Sequence, residues 1–170
     1  MLKIFNNLEP FFNDCYRRIN VREYARLRKI SPPSASQLLK DLKKENLLIK
    51  EKERNYIYYA ANIKDSLFID LSRIYWSYIM KRVGIVERLK KEMISQSIIL
   101  FGSLSKAEAK HNSDLDIAIF TTSKKQIDLS DFEKKLKRKI QVIMFKEMED
   151  VKNKDLLGNI LNGHIISGGW

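Results

Sequence analysis

Cysteine is almost missing from this chain. Cys15 is the only one, which excludes an internal disulfide and a cysteine-rich zinc site. Three prolines and six glycines are too few for a collagen-like or low-complexity chain. No apolar run approaches the ~20 residues of a membrane span, and the N-terminus lacks the pattern of a signal peptide. These absences predict a soluble, cytoplasmic protein. Acidic residues are also outnumbered, 21 against 32 basic ones, for a net charge of +11. Apolar residues make up 44% of the 170, enough to build a core in one domain or two small ones.

The basic excess is uneven. Residues 1–62 carry 13 basic and 7 acidic side chains, residues 63–95 carry 7 and 4, and residues 96–170 carry 12 and 10. The first third is therefore where a polyanionic partner is expected. No internal repeat interrupts the chain.

The periodicity predicts three helices and a hairpin in that third. Leu8, Phe11, Phe12 and Cys15 share a helical face, with Pro10 expected to mark a first turn. Asn20 suits an N-cap for Val21 to Lys29, with Glu23 placed for a capping box. Ser31, Pro32 and Pro33 open a third helix that runs to about Asn46. Its apolar face is Ala35, Leu38, Leu39 and Leu42; its other face carries Ser34, Ser36, Gln37, Lys40, Lys43 and Lys44. Two strand-like runs then flank the polar tip Lys50 to Asn55. This order resembles the winged helix-turn-helix family. The resemblance implies that the third helix enters the DNA major groove and the hairpin touches phosphate or minor groove. Ser34, Ser36 and Gln37 are then candidates for base edges, and Lys40, Lys43, Lys44, Lys52 and Arg54 for phosphate. A plain solvated face is the competing reading of the lysines.

Asn62 is expected to cap a linker helix from Ile63 to about Lys81. Its stripe of Leu67, Phe68, Leu71, Ile74, Tyr75, Tyr78 and Ile79 suits either core packing or a homodimer interface. Gly84 is expected to break that helix before a second one, Ile85 to Met93.

The second half carries a more specific pattern. An apolar strand, Ile98 to Phe101, runs into Gly102-Ser103 and an expected short helix from Leu104 to about Lys110. A turn follows, then a strand from Leu115 to Phe120 led by Asp114 and Asp116. Two residues apart on a strand, these carboxylates point the same way. They repel each other unless a cation sits between them, and oxygen ligands of this kind favour Mg²⁺. A Gly-Ser turn lets backbone N–H groups approach phosphate. Lys106, Lys110 and His111 are nearby cations that could reach such a phosphate, or simply face solvent. The run Lys134 to Lys139 lies on an expected helix starting near Asp128 and reads as a solvated face or an extension of a polyanion surface.

Gly102-Ser103, ten intervening residues and Asp114-Leu115-Asp116 resemble the minimal nucleotidyltransferase domain of the polymerase-beta superfamily, over about residues 85–170. The resemblance implies that Gly102 and Ser103 hold the triphosphate of a nucleoside triphosphate, and that Asp114 and Asp116 are catalytic and hold Mg²⁺. Two positions depart from the family pattern. Ala107 stands where glycine is common, which matters little if that position is helical. Gln141, in the strand Lys139 to Phe145, stands where a third carboxylate is expected. A neutral amide cannot act as a base for an attacking hydroxyl.

The expected architecture is α+β. It comprises a winged helix-turn-helix domain (1–62), a linker helix (63–84) and a small mixed-sheet nucleotidyltransferase domain (85–170). The expected function is a DNA-binding regulator whose second domain binds nucleoside triphosphate and Mg²⁺ with weak or lost transfer. The alternative is an active enzyme. Minimal domains of the resembled kind often serve as antitoxins that modify a toxin-type protein partner.

Overall fold

The computed structural model describes residues 2–93 and 95–169. The chain divides into two compact units: residues 1–72 with 107–111, and residues 73–106 with 112–170.

The first unit begins with three helices: α1 (Lys3–Asn13), α2 (Val21–Arg28) and α3 (Pro32–Lys44). The helix α1 continues through Pro10, where a first turn was expected. Its face of Phe5, Leu8, Phe11 and Phe12 is wholly or almost wholly buried. That packing outweighs the backbone hydrogen bond the proline ring removes. The caps of the next two helices form as the sequence suggests. Asn20 accepts from the Glu23 N–H at 3.0 Å, and Ser31 from the Ser34 N–H at 3.3 Å. Asn46 ends the third helical segment in the left-handed conformation, φ 58°, which asparagine tolerates better than most residues.

Strands β1 (Leu48–Glu53) and β2 (Tyr56–Ala61) then pair antiparallel in register Leu48↔Ala61 through Glu53↔Tyr56. A two-residue tip, Arg54-Asn55, joins them with Arg54 at φ 52°. Ile19, between α1 and α2, bridges to Tyr59 through a reciprocal pair of backbone hydrogen bonds at 2.9 and 2.8 Å. One residue of strand pairing leaves no periodic signal, so this bridge is invisible to pattern reading. Residues 107–111 complete this unit, with the Cys15 N–H donating to the Ala109 carbonyl at 2.7 Å.

Helix α4 (Ser66–Val83) starts later than expected. Asp65, not Asn62, accepts from its first turn, taking the Phe68 N–H at 3.0 Å. The Asn62 side chain instead donates to the Asn46 carbonyl at 2.8 Å. Of its aromatic stripe, Phe68 and Tyr75 are buried, as is Trp76 beside it, while Leu67 and Ile74 stay exposed.

The second unit contains α5 (Ile85–Glu92) and a four-stranded sheet in the order β5-β4-β3-β6. The strands are β3 (Ser95–Phe101), β4 (Leu115–Thr121), β5 (Ile140–Phe145) and β6 (His164–Gly168). Between β3 and β4 lies the short α6 (Gly102–Ser105), between β4 and β5 lies α7 (Ser130–Leu136), and before β6 lies α8 (Lys154–Leu161). Pairing is antiparallel for β3 with β4 and with β6, and parallel for β4 with β5. Pleating sends Ile99, Phe101, Ala118 and Phe120 to one face, where they pack with Val151 of the loop before α8 and Ile160 of α8. At Gly163, where α8 turns into β6, a side chain would strike the Leu100 and Ile160 carbonyls at 2.6 and 2.9 Å. Only glycine lets that turn close against β3.

Candidate functional site

The site grows out of one register. β3 ends at Phe101, which lies opposite Asp116 in the antiparallel pair. The chain must turn sharply there, and Gly102 does so at φ 71°. A methyl group on Gly102 would overlap the Asp116 carboxylate. Glycine is therefore required twice, for its left-handed backbone and for the space the carboxylate occupies. Ser103 follows in α6, half-buried. The turn is braced from three sides: Ser105 Oγ donates to the Gly102 carbonyl at 2.9 Å, Arg73 Nε donates to the Ser105 carbonyl at 2.7 Å, and Lys106 Nζ donates to Asn159 Oδ1 at 2.5 Å.

This geometry corrects two expectations about the residues after Ser103. The helix does not reach Lys110; it ends at Ser105. Ala107 is left-handed at φ 56° and fully buried, so glycine's usual presence there reflects backbone conformation, and helix propensity is irrelevant. Lys106 is engaged with Asn159, and Lys110 lies in the first unit with its ammonium 5.8 Å from the Tyr16 ring centre. His111 is exposed, 4.0 Å from the Asp14 carboxylate.

Asp114 and Asp116 sit at the leading end of β4, both half-buried. Burial pushes the Asp116 carboxyl above the ordinary aspartate range, and the neighbouring charge of Asp114 pushes it further the same way. The parallel pairing of β4 with β5 puts Gln141 directly opposite Asp116. From there Gln141 Nε2 donates to Asp114 Oδ2 at 2.7 Å. The position where the family pattern leads one to expect a third carboxylate thus holds an amide, and its N–H takes a carboxylate oxygen of Asp114.

The family model described as Polymerase beta, Nucleotidyltransferase matches residues 84–168, half of the chain. The chain belongs to the polymerase beta nucleotidyltransferase family. No curated protein and no solved structure matches it. Divalent metal ions are typical of this nucleotidyltransferase family, so the donor set can be tested against such an ion. Among the described residues no group of three or more His, Cys, Asp or Glu is placed to hold a metal. Two carboxylates fit one divalent ion that draws its remaining ligands from phosphate oxygens and water. They do not fit the paired-ion arrangement that clamps both attacking and leaving oxygens.

In the first unit the predicted DNA-contact residues lie on α3 and on the hairpin. Ser34, Gln37, Lys40, Lys43 and Lys44 are exposed along α3 and Ser36 is half-buried; Lys52 and Arg54 are exposed near the hairpin tip. Gln37 Nε2 donates to Asp41 Oδ1 at 2.8 Å. Two acidic hairpin residues share one cation. Arg18 meets Glu51 at 2.8 Å and Glu53 at 2.7 Å, with its guanidinium 4.7 Å from the Tyr58 ring centre. A cleft lined by Arg22, Arg26 and Lys29 adds basic character that sequence reasoning did not single out. Arg22 and Arg26 belong to the short helix α2 and Lys29 follows its end, on an exposed face only the structure reveals.

Sequence reasoning also missed Arg138. It stands in the basic run Lys134 to Lys139, where the lysines are exposed, yet it is only 7% exposed. Nothing within the run marks that position as inward-facing.

Proposed function

We propose that this polymerase beta nucleotidyltransferase family member is a DNA-binding regulator. Its second unit binds a nucleoside triphosphate with one Mg²⁺ and transfers nucleotide slowly or not at all. The observation that carries this reading is the hydrogen bond from Gln141 to Asp114. Gln141 stands in register with Asp116, at the position for a third carboxylate, and offers neither negative charge nor a base. In this reading Asp114 and Asp116 would hold the ion that escorts the triphosphate, which neutralises phosphate charge when bound. Gly102 and Ser103 lie beside them at the end of β3, where the turn brings backbone N–H groups near the phosphates. The first unit would act as a winged helix-turn-helix, with α3 toward base edges and Lys52 and Arg54 of the hairpin toward phosphate. Support for that part comes from the net basic charge of residues 1–62 and from the exposed lysines of α3.

The preserved Gly102, Asp114 and Asp116 favour a second reading, an active transferase that modifies a protein or nucleic-acid hydroxyl. One substitution separates the two. Gln141→Asp is expected to raise Mg²⁺-dependent labelling by roughly 100- to 10,000-fold, the usual worth of a positioned base. Wild-type protein should bind a fluorescent triphosphate with Mg²⁺ but label acceptors at background. Fast labelling by wild type, unchanged in Gln141→Ala, would establish the active enzyme instead.

A further inference from the structure

Residues 113, 114 and 115 are each held by the strand-entry segment that follows α7. Arg138 Nη1 donates to the Ser113 carbonyl at 2.6 Å. Gln141 Nε2 donates to Asp114 Oδ2 at 2.7 Å. The Leu115 N–H donates to the Lys139 carbonyl at 2.8 Å. Thus the residue bearing the first carboxylate of the pair is gripped on its own side chain and on both flanking peptide units.

Arg138 is the unusual member of this set. Lys137 ends α7 in the left-handed conformation at φ 54°. The Arg138 N–H then caps back onto the Glu133 carbonyl at 3.3 Å. This reversal turns Arg138 inward while its lysine neighbours stay exposed. Its guanidinium lies 5.0 Å from the Trp76 ring centre, close enough for a cation–π contact. Burying a cation is costly unless its donors are satisfied and its charge has something to act on. A lysine could carry the charge, but it lacks the planar fork that stacks on an indole while donating sideways.

We propose that Arg138 is a positioning residue for Asp114. Packed on Trp76, it fixes the Ser113 carbonyl and thereby the approach of the Asp114 carboxylate to a divalent cation. The inference rests on the reading that Asp114 and Asp116 hold such a cation, and it adds the residue that sets the geometry of that site.

The test uses the full chain and Mn²⁺ alone, titrated by electron paramagnetic resonance. Wild type is compared with Arg138→Lys, Arg138→Met and Asp114→Asn. Loss of an outer support typically weakens metal binding ~10- to 100-fold. Arg138→Met is expected to fall in that range and Arg138→Lys to recover part of the loss. In metal-free protein, amide hydrogen exchange over residues 113–116 should quicken in both variants while exchange in β3 and β6 is unchanged. Thermal melts establish that each variant is folded; if Arg138→Met is not, Arg138→Lys alone decides. A folded Arg138→Lys within twofold of wild type in Mn²⁺ affinity, with unaltered exchange at 113–116, overturns the proposal. Wild type that binds Mn²⁺ no better than Asp114→Asn overturns the metal reading itself and the proposal with it.

Discussion

The two units handle charge differently. The first leaves its cations on the outside: Lys40, Lys43, Lys44, Lys52 and Arg54 are all exposed. Their effect on a polyanion is a sum, insensitive to the partner of any one of them. The second unit keeps exposed lysines too, along Lys134 to Lys139, but it also draws charge inward. It half-buries two carboxylates at one strand end and buries a guanidinium against an indole. There each charge acts through a specific neighbour, so a single substitution changes the site's character. Surface charge is robust and diffuse, whereas buried charge is local and fragile.

Neutralising one half-buried carboxylate gives the largest expected loss of binding. Asp116→Asn should cost triphosphate binding in Mg²⁺ more than the ~10- to 100-fold attached to outer supports of a metal. It should also stabilise the metal-free protein. Burial and Asp114 raise the folded-state affinity of Asp116 for its proton. The destabilisation is therefore absent below the ordinary aspartate range. It grows as pH rises through the raised folded value and is complete above it. Wild-type melting temperature in chelator should fall across that window from this group's contribution, and Asp116→Asn should remove that part of the slope. Calorimetry at several pH values, with and without Mg²⁺, checks both halves. A variant less stable than wild type at neutral pH would mean that Asp116 has a stabilising partner in the folded state.

That difference also explains what was legible in the sequence. The helices and hairpin of residues 1–62 follow from period, caps and turn residues, which act over three or four positions. Gly102, Asp114 and Asp116 were singled out by their spacing, and the register that sets Phe101 opposite Asp116 brings Gly102 against the Asp116 carboxylate. Gln141 was found through family resemblance, but its bond to Asp114 depends on the parallel register of β4 with β5, which is a long-range fact. Arg138 was hidden for the same reason. Its burial depends on Trp76, far away in the chain, and its own neighbours are exposed lysines. The expected Asn62 cap and the expected first turn at Pro10 failed more simply, because packing of Phe11, Phe12 and Phe68 decided where those helices run.

A second substitution breaks the site without touching a charge. Gly102→Ala puts a side chain into the space of the Asp116 carboxylate and forces alanine to φ 71°. The backbone alone costs about 1–2 kcal/mol. Displacing Asp116 should weaken Mg²⁺-dependent triphosphate binding at least ~10-fold, as misplacing a metal ligand does. Isothermal titration, with a melt to establish folding, measures both effects. Wild-type affinity in a folded Gly102→Ala would separate Asp116 from the binding site.

The first unit should respond much more gently. Lys43→Ala removes one exposed cation from α3. If it meets one phosphate, the slope of log affinity against log salt should flatten by about 0.9. The loss should be similar on every DNA sequence. Mobility-shift titrations with the full chain at several salt concentrations give the slope. A steep loss confined to one sequence would place Lys43 at a base edge.

The smallest expected effect comes from Ala107→Gly, which sharpens the contrast with Gly102. Both positions are left-handed, at φ 56° and φ 71°, but Ala107 already carries its methyl group in a fully buried place. Glycine would relieve about 1–2 kcal/mol of backbone strain. Against this stand ~0.8 kcal/mol for the buried methyl and ~0.4–1 kcal/mol from the freer unfolded chain. These terms nearly cancel, so stability should shift by less than about 1 kcal/mol in either direction, and nucleotide binding should be unchanged. Urea unfolding at one pH reads the balance. A loss of ~2 kcal/mol or more would show that the alanine methyl is worth far more than its area, because its neighbours cannot close over the gap. The departure from glycine at this position would then be a packing requirement of the first unit, to which residues 107–111 belong.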